Sequence, residues 1–178
     1  MVNTDKSNSV EEKTLNKGDF KARSLSESLR TVYGAEKQWY TVLPILELAV
    51  GCEDLSEALR KFQKDGQDHL HRLKSIFESL DIVVAENENE DVEVLIEECY
   101  DIIDVTPRNS FIRDAGLIVG MQQVQQYLIT AYTSLLAQAL ECNAQKVVNL
   151  LRVIIHNKHL EEEQLAMAGT SQMLDEIV

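Results

Sequence analysis

Residues 111–140, FIRDAGLIVGMQQVQQYLITAYTSLLAQAL, contain no proline, and the two glycines, Gly116 and Gly120, stand one turn apart. Leu117, Met121, Val124, Leu128, Ala131 and Leu135 recur at alternating spacings of four and three, which is one face of a helix. Ile118, Ile129, Tyr132 and Leu136 form a second apolar face beside it. A helix apolar over so much of its girth must be enclosed by other helices. Its middle nevertheless carries Gln122, Gln123, Gln125 and Gln126, a polar patch that a simple core has no use for.

The rest of the chain supplies the neighbours. Residues 1–22 are polar, lack apolar periodicity and read as a disordered N-terminal tail. A first helix is predicted from Ser24, with Ser24 or Ser26 as N-cap and an apolar stripe of Leu25, Leu29, Val32, Trp39, Leu43, Leu46 and Val50. Glu36 interrupts that stripe, Pro44 is expected to kink the helix, and Gly51 ends it. A second helix over residues 53–80 runs through Leu55, Leu59, Phe62, Leu73, Ile76 and Leu80, broken at Gly66 and His69, with Asp65 a turn before His69.

Residues 81–110 form a long connection with a short helix at 92–103. Its acidic run lacks the glycine and the spaced oxygen ligands of a calcium loop and reads as a solvated turn. The last helix, residues 144–168, carries Val147, Leu151, Ile154, Leu165 and Ala168, with Lys158 and Glu161 between. Gly169 is expected to stop it, leaving residues 170–178 as a tail. The predicted architecture is all-α: residues 23–169 as one antiparallel four-helix bundle, its long crossover carrying a short extra helix.

Charge narrows the function. A formal net charge of −13 argues against nucleic-acid or anionic-membrane binding. Cys52, Cys99 and Cys142 are scattered and odd in number, unlike a disulfide framework or a metal knuckle. No apolar run has the length of a membrane span, and residues 1–13 do not read as a secretory signal. A cytoplasmic protein is expected. His71, His156 and His159 fall beside the stripes and are expected in solvent. Gly116 and Gly120 are expected to admit a close helix neighbour. No hydrolase, nucleotide or cofactor motif is present, so no catalytic or cofactor-binding residue is assigned.

All four long helices interrupt their apolar stripes near their middles: at Glu36, at Asp65 and His69, at Gln125 and its neighbours, and at Lys158 with Glu161 or Glu162. Buried polar groups cost several kcal/mol without partners, so aligned interruptions call for a common cause. In bundles of this kind facing carboxylates and histidines commonly hold a pair of metal ions.

The segments TVYGAEKQWYTVLP, HLHRLKSIFESL and QQYLITAYTSLLAQALE, in this order and spacing, resemble the YciE/YciF family of ferritin-like proteins. The resemblance implies a ferritin-like bundle, a homodimer, bacterial stress association and a di-iron centre. Carried over, Glu36 matches the first-helix carboxylate, His69 the second-helix histidine, and Asp65 stands where a longer glutamate is usual. The third-helix ligands read here as Gln125, Gln126 and Leu128. The fourth-helix Glu-Glu pair reads as Asn157 and Lys158, leaving Glu161 or Glu162 as a carboxylate. Amides are poor iron ligands and an ammonium is none.

The expectation is therefore a degenerate site in which Lys158 replaces the metal charge among Glu36, Asp65 and Glu162, with the glutamines as neutral fillers. No cofactor is expected, and the function is that of a structural or interaction module rather than an enzyme, its protein partner unnamed. The alternative is an iron- or manganese-binding oxidase, peroxide scavenger or iron-handling protein using Glu36, Asp65, His69 and Glu162.

Overall fold

The computed structural model describes the backbone of residues 5–175 and the side chains of residues 18–171. Five helices follow one another: α1 (Asp5–Ala49), α2 (Glu53–Ser79), α3 (Glu90–Val105), α4 (Phe111–Glu141) and α5 (Gln145–Asp175). Among the described residues there is no strand. Short turns join α1 to α2 and α4 to α5, so each pair runs antiparallel. α1 packs on α2 and α4, and α5 packs on the same two, closing a four-helix ring. α3 lies outside that ring against α4 and α1.

The helix ends differ from expectation at both termini. α1 begins at Asp5, so most of the segment predicted as a disordered tail up to residue 22 is helical. Physically, residues 5–17 hold neither proline nor glycine, and apolar periodicity governs packing rather than helicity. The first buried side chain described is Leu25. Ser24 lies within α1 and caps nothing; its hydroxyl donates to Gln138 Oε1 of α4 at 3.3 Å. Pro44 likewise lies inside α1. At the other end Gly169 does not stop α5, which runs on to Asp175 through part of the segment expected as a tail. A glycine within a helix costs only about 1 kcal/mol, too little by itself to end one. Residues 1–4 and 176–178 lie outside the described backbone.

Where turns are tight, Asp and Asn take the left-handed backbone that glycine usually supplies. Asp81 (φ 55°) follows α2 and Asn143 (φ 54°) follows α4. Each is followed by a six-to-one closure, Ile82 N donating to Phe77 O at 3.1 Å and Ala144 N to Ala139 O at 3.0 Å. Short polar side chains tolerate this conformation best after glycine.

Two adjacent charged residues of α4 fasten the loops at one end of the ring. Asp114 accepts from Gly51 N at 2.9 Å and Cys52 N at 2.8 Å, holding the α1–α2 turn. Arg113 donates to Ile103 O at 2.6 Å and also to Thr106 O, filling carbonyls that the end of α3 leaves without helical partners. At the start of α3, Asn89 Oδ1 accepts from Val92 N at 3.1 Å, and its Nδ2 donates to Tyr127 OH of α4 at 2.8 Å. The crossover helix is thus tied to α4 at both ends.

The two glycines of α4 lie under α3. A Cβ at Gly116 would stand 3.0 Å from Ile102 Cγ2, and one at Gly120 would stand 2.8 Å from Cys99 Sγ. On α1, Gly34 lets the crossover press still closer: a Cβ there would meet Asn87 O at 2.0 Å. That contact is backbone, and Asn87 N is itself bonded to Arg30 O at 3.2 Å, so it cannot swing aside. Gly34→Ala is expected to destabilise the fold by about 1–3 kcal/mol in urea unfolding. Gly18→Ala on the same helix meets nothing within 4 Å and is expected to be neutral or to gain up to about 1 kcal/mol.

Candidate functional site: a buried polar belt

The interruptions in the four apolar stripes meet at one level of the ring, and Glu36 is their centre. Its position within a stripe of leucines, valine and tryptophan carries the carboxylate to the bundle axis, where it is fully buried. Glu36 Oε1 lies 3.1 Å from His69 Nδ1 of α2 and 2.9 Å from Lys158 Nζ of α5. Glu36 Oε2 accepts from Tyr132 OH of α4 at 3.0 Å. Each of the other three ring helices therefore supplies one partner to a single carboxylate of the first. Because that carboxylate only accepts, the His69 proton sits on Nδ1.

A second carboxyl lies alongside. Lys158 Nζ also donates to Glu161 Oε2 at 3.2 Å, and Gln125 Nε2 donates to the same oxygen at 2.7 Å. Lys158 and Glu161 are a turn apart on α5, and both are buried. The Lys158 ammonium thus bridges a carboxyl of α1 and one of α5.

These contacts decide the protonation states. Burial by itself pushes the Glu36 carboxyl up, but the Lys158 ammonium and the His69 ring outweigh it and bring it down from 4.5 to about 2. Burial likewise pulls Lys158 down, while Glu161 and Glu36 more than offset it and raise the ammonium above its ordinary range. Burial and then the negative Glu36 push the Tyr132 phenol well above its usual value, so it stays a donor.

The placement differs from the expected one in two carboxylates. Asp65 is only half-buried and stands apart from these contacts, because the inward position one turn before His69 is Gly66. That glycine is buried, and a Cβ on it would stand 3.0 Å from Tyr40 Cδ2, so the Tyr40 ring covers the place. Glu162 points to the rim, where it pairs with Gln126 and lies 3.5 Å from His159 Nδ1, its side chain 30% exposed. Glu161, one residue earlier, is the inward one. Gln125 is buried, whereas Gln126 is exposed and Asn157 half-buried. His71, His156 and His159 are exposed.

Sequence reasoning did not find Tyr132 as a polar member of the belt, since its ring fits the apolar face. The only signal was that a buried tyrosine hydroxyl needs a partner.

A dinuclear carboxylate centre in such a bundle draws on a glutamate from each of two helices and a Glu-x-x-His pair from each of the others. Here the α2 pair reads Gly66 and His69, the α5 pair reads Lys158 and Glu161, and the α4 carboxylate reads Gln125. Among the described residues no three of histidine, cysteine, aspartate and glutamate gather as a metal-holding group. The residues present do not fit a pair of metal ions, because a protonated lysine lies against the carboxylates that would bind them.

A family model described as a domain of unknown function, DUF892, matches residues 22–178. Protein YciF of Escherichia coli (strain K12) is 31% identical over 137 residues, covering 76% of this chain and 79% of that relative. The crystal structure of the E. coli stress protein YciF aligns with a TM-score of 0.80 at 26% identity, over 85% of this chain and 95% of its own. YcfI of Rhodopseudomonas palustris aligns with a TM-score of 0.76 at 24% identity, over 80% and 90% respectively. This last likeness is one of fold.

Removing one partner of a buried ion pair leaves the other charge without compensation, at about 3–5 kcal/mol. Lys158→Met is expected to destabilise the bundle by that order in urea unfolding, and Lys158→Met with Glu36→Gln to recover part of the loss. The folded Glu36 carboxyl lies below its unfolded value, so its stabilisation is complete above pH 4.5 and is lost as pH falls toward about 2. Glu36→Gln should flatten the fall in stability through that acid window; an unchanged slope would refute the assignment.

Proposed function

This chain belongs to the YciE/YciF family, and we propose that it is a ferritin-like, stress-associated member that works as a structural or interaction module without a dinuclear metal centre. The observation that carries this reading is the Lys158 ammonium, 2.9 Å from Glu36 and 3.2 Å from Glu161. It supplies in one side chain the positive charge that a metal would bring to the same carboxylates. An ammonium forms hydrogen bonds but neither changes oxidation state nor binds oxygen, so the belt has a structural chemistry and no redox one.

Stress association is supported by the likeness to the E. coli stress protein YciF. A reducing cytoplasm is supported by Cys52, Cys99 and Cys142, all free thiols. Burial, followed by the neighbouring Glu98, pushes the Cys99 thiol up to about 11, which marks it as packing material rather than a nucleophile. No helix among the described residues is long and apolar enough to cross a membrane. A homodimer is part of the same reading.

The competing reading is a metal-binding oxidase, peroxide scavenger or iron-handling protein. It must draw on Glu36, His69 and Glu161, and must first displace Lys158 from two of them. Elemental analysis of untagged protein grown with added iron and manganese separates the two. The expected result is well below one metal ion per chain, with iron or manganese binding gained in Lys158→Glu combined with Gln125→Glu. One or two ions per chain in the unaltered protein would overturn the proposal.

A further inference from the structure

Away from the belt, α1, the 86–88 segment and α3 line an open surface cavity of about 490 Å³. Its size is that of a small-molecule site. α3 turns one helical face toward it, with Glu93, Ile96, Glu97 and Tyr100 at the spacings of a single stripe. Buried Val42 and Ile96 and the half-buried Tyr100 ring provide an apolar floor, and the exposed Glu93 and Glu97 stand on its rim.

The walls are fixed in place. Gly34 brings the Asn87 backbone against α1, as described above, and Lys37 Nζ holds Glu86 at 2.6 Å across the opening.

The charge of this cavity is unbalanced. Its one cation, Lys37, is taken by Glu86, while Glu88, Glu93 and Glu97 also line it. Among the described residues no salt bridge reaches Glu88, Glu93 or Glu97. Glu93 and Glu97 repel each other one turn apart on the same helix face. Two of the lining donors are engaged within the protein: Thr41 Oγ1 with Lys37 O at 2.8 Å, Asn87 Nδ2 with Glu27 Oε2 at 3.3 Å.

We propose that this cavity binds a small organic cation with an apolar body, its ammonium among Glu93, Glu97 and Glu88 and its body on Ile96, Val42 and the Tyr100 ring. Both features of the ligand follow from the lining: carboxylates recognise the charge, and the Tyr100 ring with the apolar floor takes the body. The net charge of −13 concentrates cations near the surface and favours their entry. The site is separate from the belt and stands whether or not the belt holds metal.

The test uses the full chain with phenethylamine and its uncharged analogue 2-phenylethanol as probes, followed by heteronuclear NMR titration. Phenethylamine is expected to shift the resonances of Gln38, Ile96 and Tyr100 and to bind about tenfold more tightly than the alcohol, weakening with added salt. Glu93→Gln with Glu97→Gln should abolish that preference without changing the melting temperature appreciably, since both side chains are exposed. Thr41→Lys, which sets a second cation at the opening, is the independent variant and should abolish amine binding. Equal binding of the two probes, binding of neither, shifts confined to another surface, or full affinity in both variants would overturn the proposal.

Discussion

A single carboxylate, Glu36, joins the four ring helices, because each of the other three reaches it with one hydrogen-bonding side chain: His69 from α2, Tyr132 from α4 and Lys158 from α5. Ionising a carboxylate inside an apolar bundle is costly, and the attraction of one nearby ammonium roughly offsets that cost. The remaining oxygen capacity is filled by Nδ1–H and a phenol. This arrangement is specific in a way that apolar contacts are not. Sliding any ring helix by one residue would still bury leucines, but it would strand the charge. Net stability therefore comes from the apolar layers above and below, while register comes from the belt.

The crossover helix obeys a different constraint. α3 approaches α4 over Gly116 and Gly120, where side chains are absent, and it is held at its two ends by Asn89 with Tyr127 and by Arg113 with the last carbonyls of the helix. Close approach gives it dispersion contacts, and the terminal bonds orient it. α3 covers the side of α4 that carries Gly116, Gly120 and Tyr127, whereas Tyr132 of the second apolar face reaches the ring centre and Ile118 lies beside Gly169 of α5. The same placement leaves the α3 face carrying Glu93 and Glu97 turned toward α1 and creates the lined cavity there.

The bundle was legible in the sequence because four apolar stripes, two short turns and one long connection admit few other arrangements. The interruptions at Glu36, His69, Gln125 and Lys158 were legible for the same reason: a polar residue at a stripe position has to point inward. Asp65 and Glu162 each miss the inward position, held by Gly66 and Glu161, by one residue. One residue is about 100° around a helix, enough to move a side chain from the axis to the rim. Phase rather than residue type decides which side chain reaches the axis. The helical N-terminal extension was not legible, because residues 5–17 carry no apolar period to read. Arg113 and Asp114 were not legible either: each reaches main-chain groups of loops distant in sequence, which no side-chain pattern records.

Phase also bears on how the belt balances its charges. At the positions where two carboxylate–histidine pairs would sit, α2 retains its histidine and lacks the glutamate, while α5 has a lysine and then a glutamate. The substitutions compensate one another. With glycine at position 66, the Tyr40 ring occupies the space a side chain would need there. Making position 125 an amide removes a second negative charge and adds the N–H donor that Glu161 accepts. Lys158 then has two carboxyls to bridge, Glu36 and Glu161, in place of the four that a pair of divalent ions would require. Restoring one carboxylate alone would leave the belt with an excess of negative charge and a lysine still blocking the ions. The belt residues are consistent as a set, and turning them into four carboxylates takes coordinated changes on more than one helix.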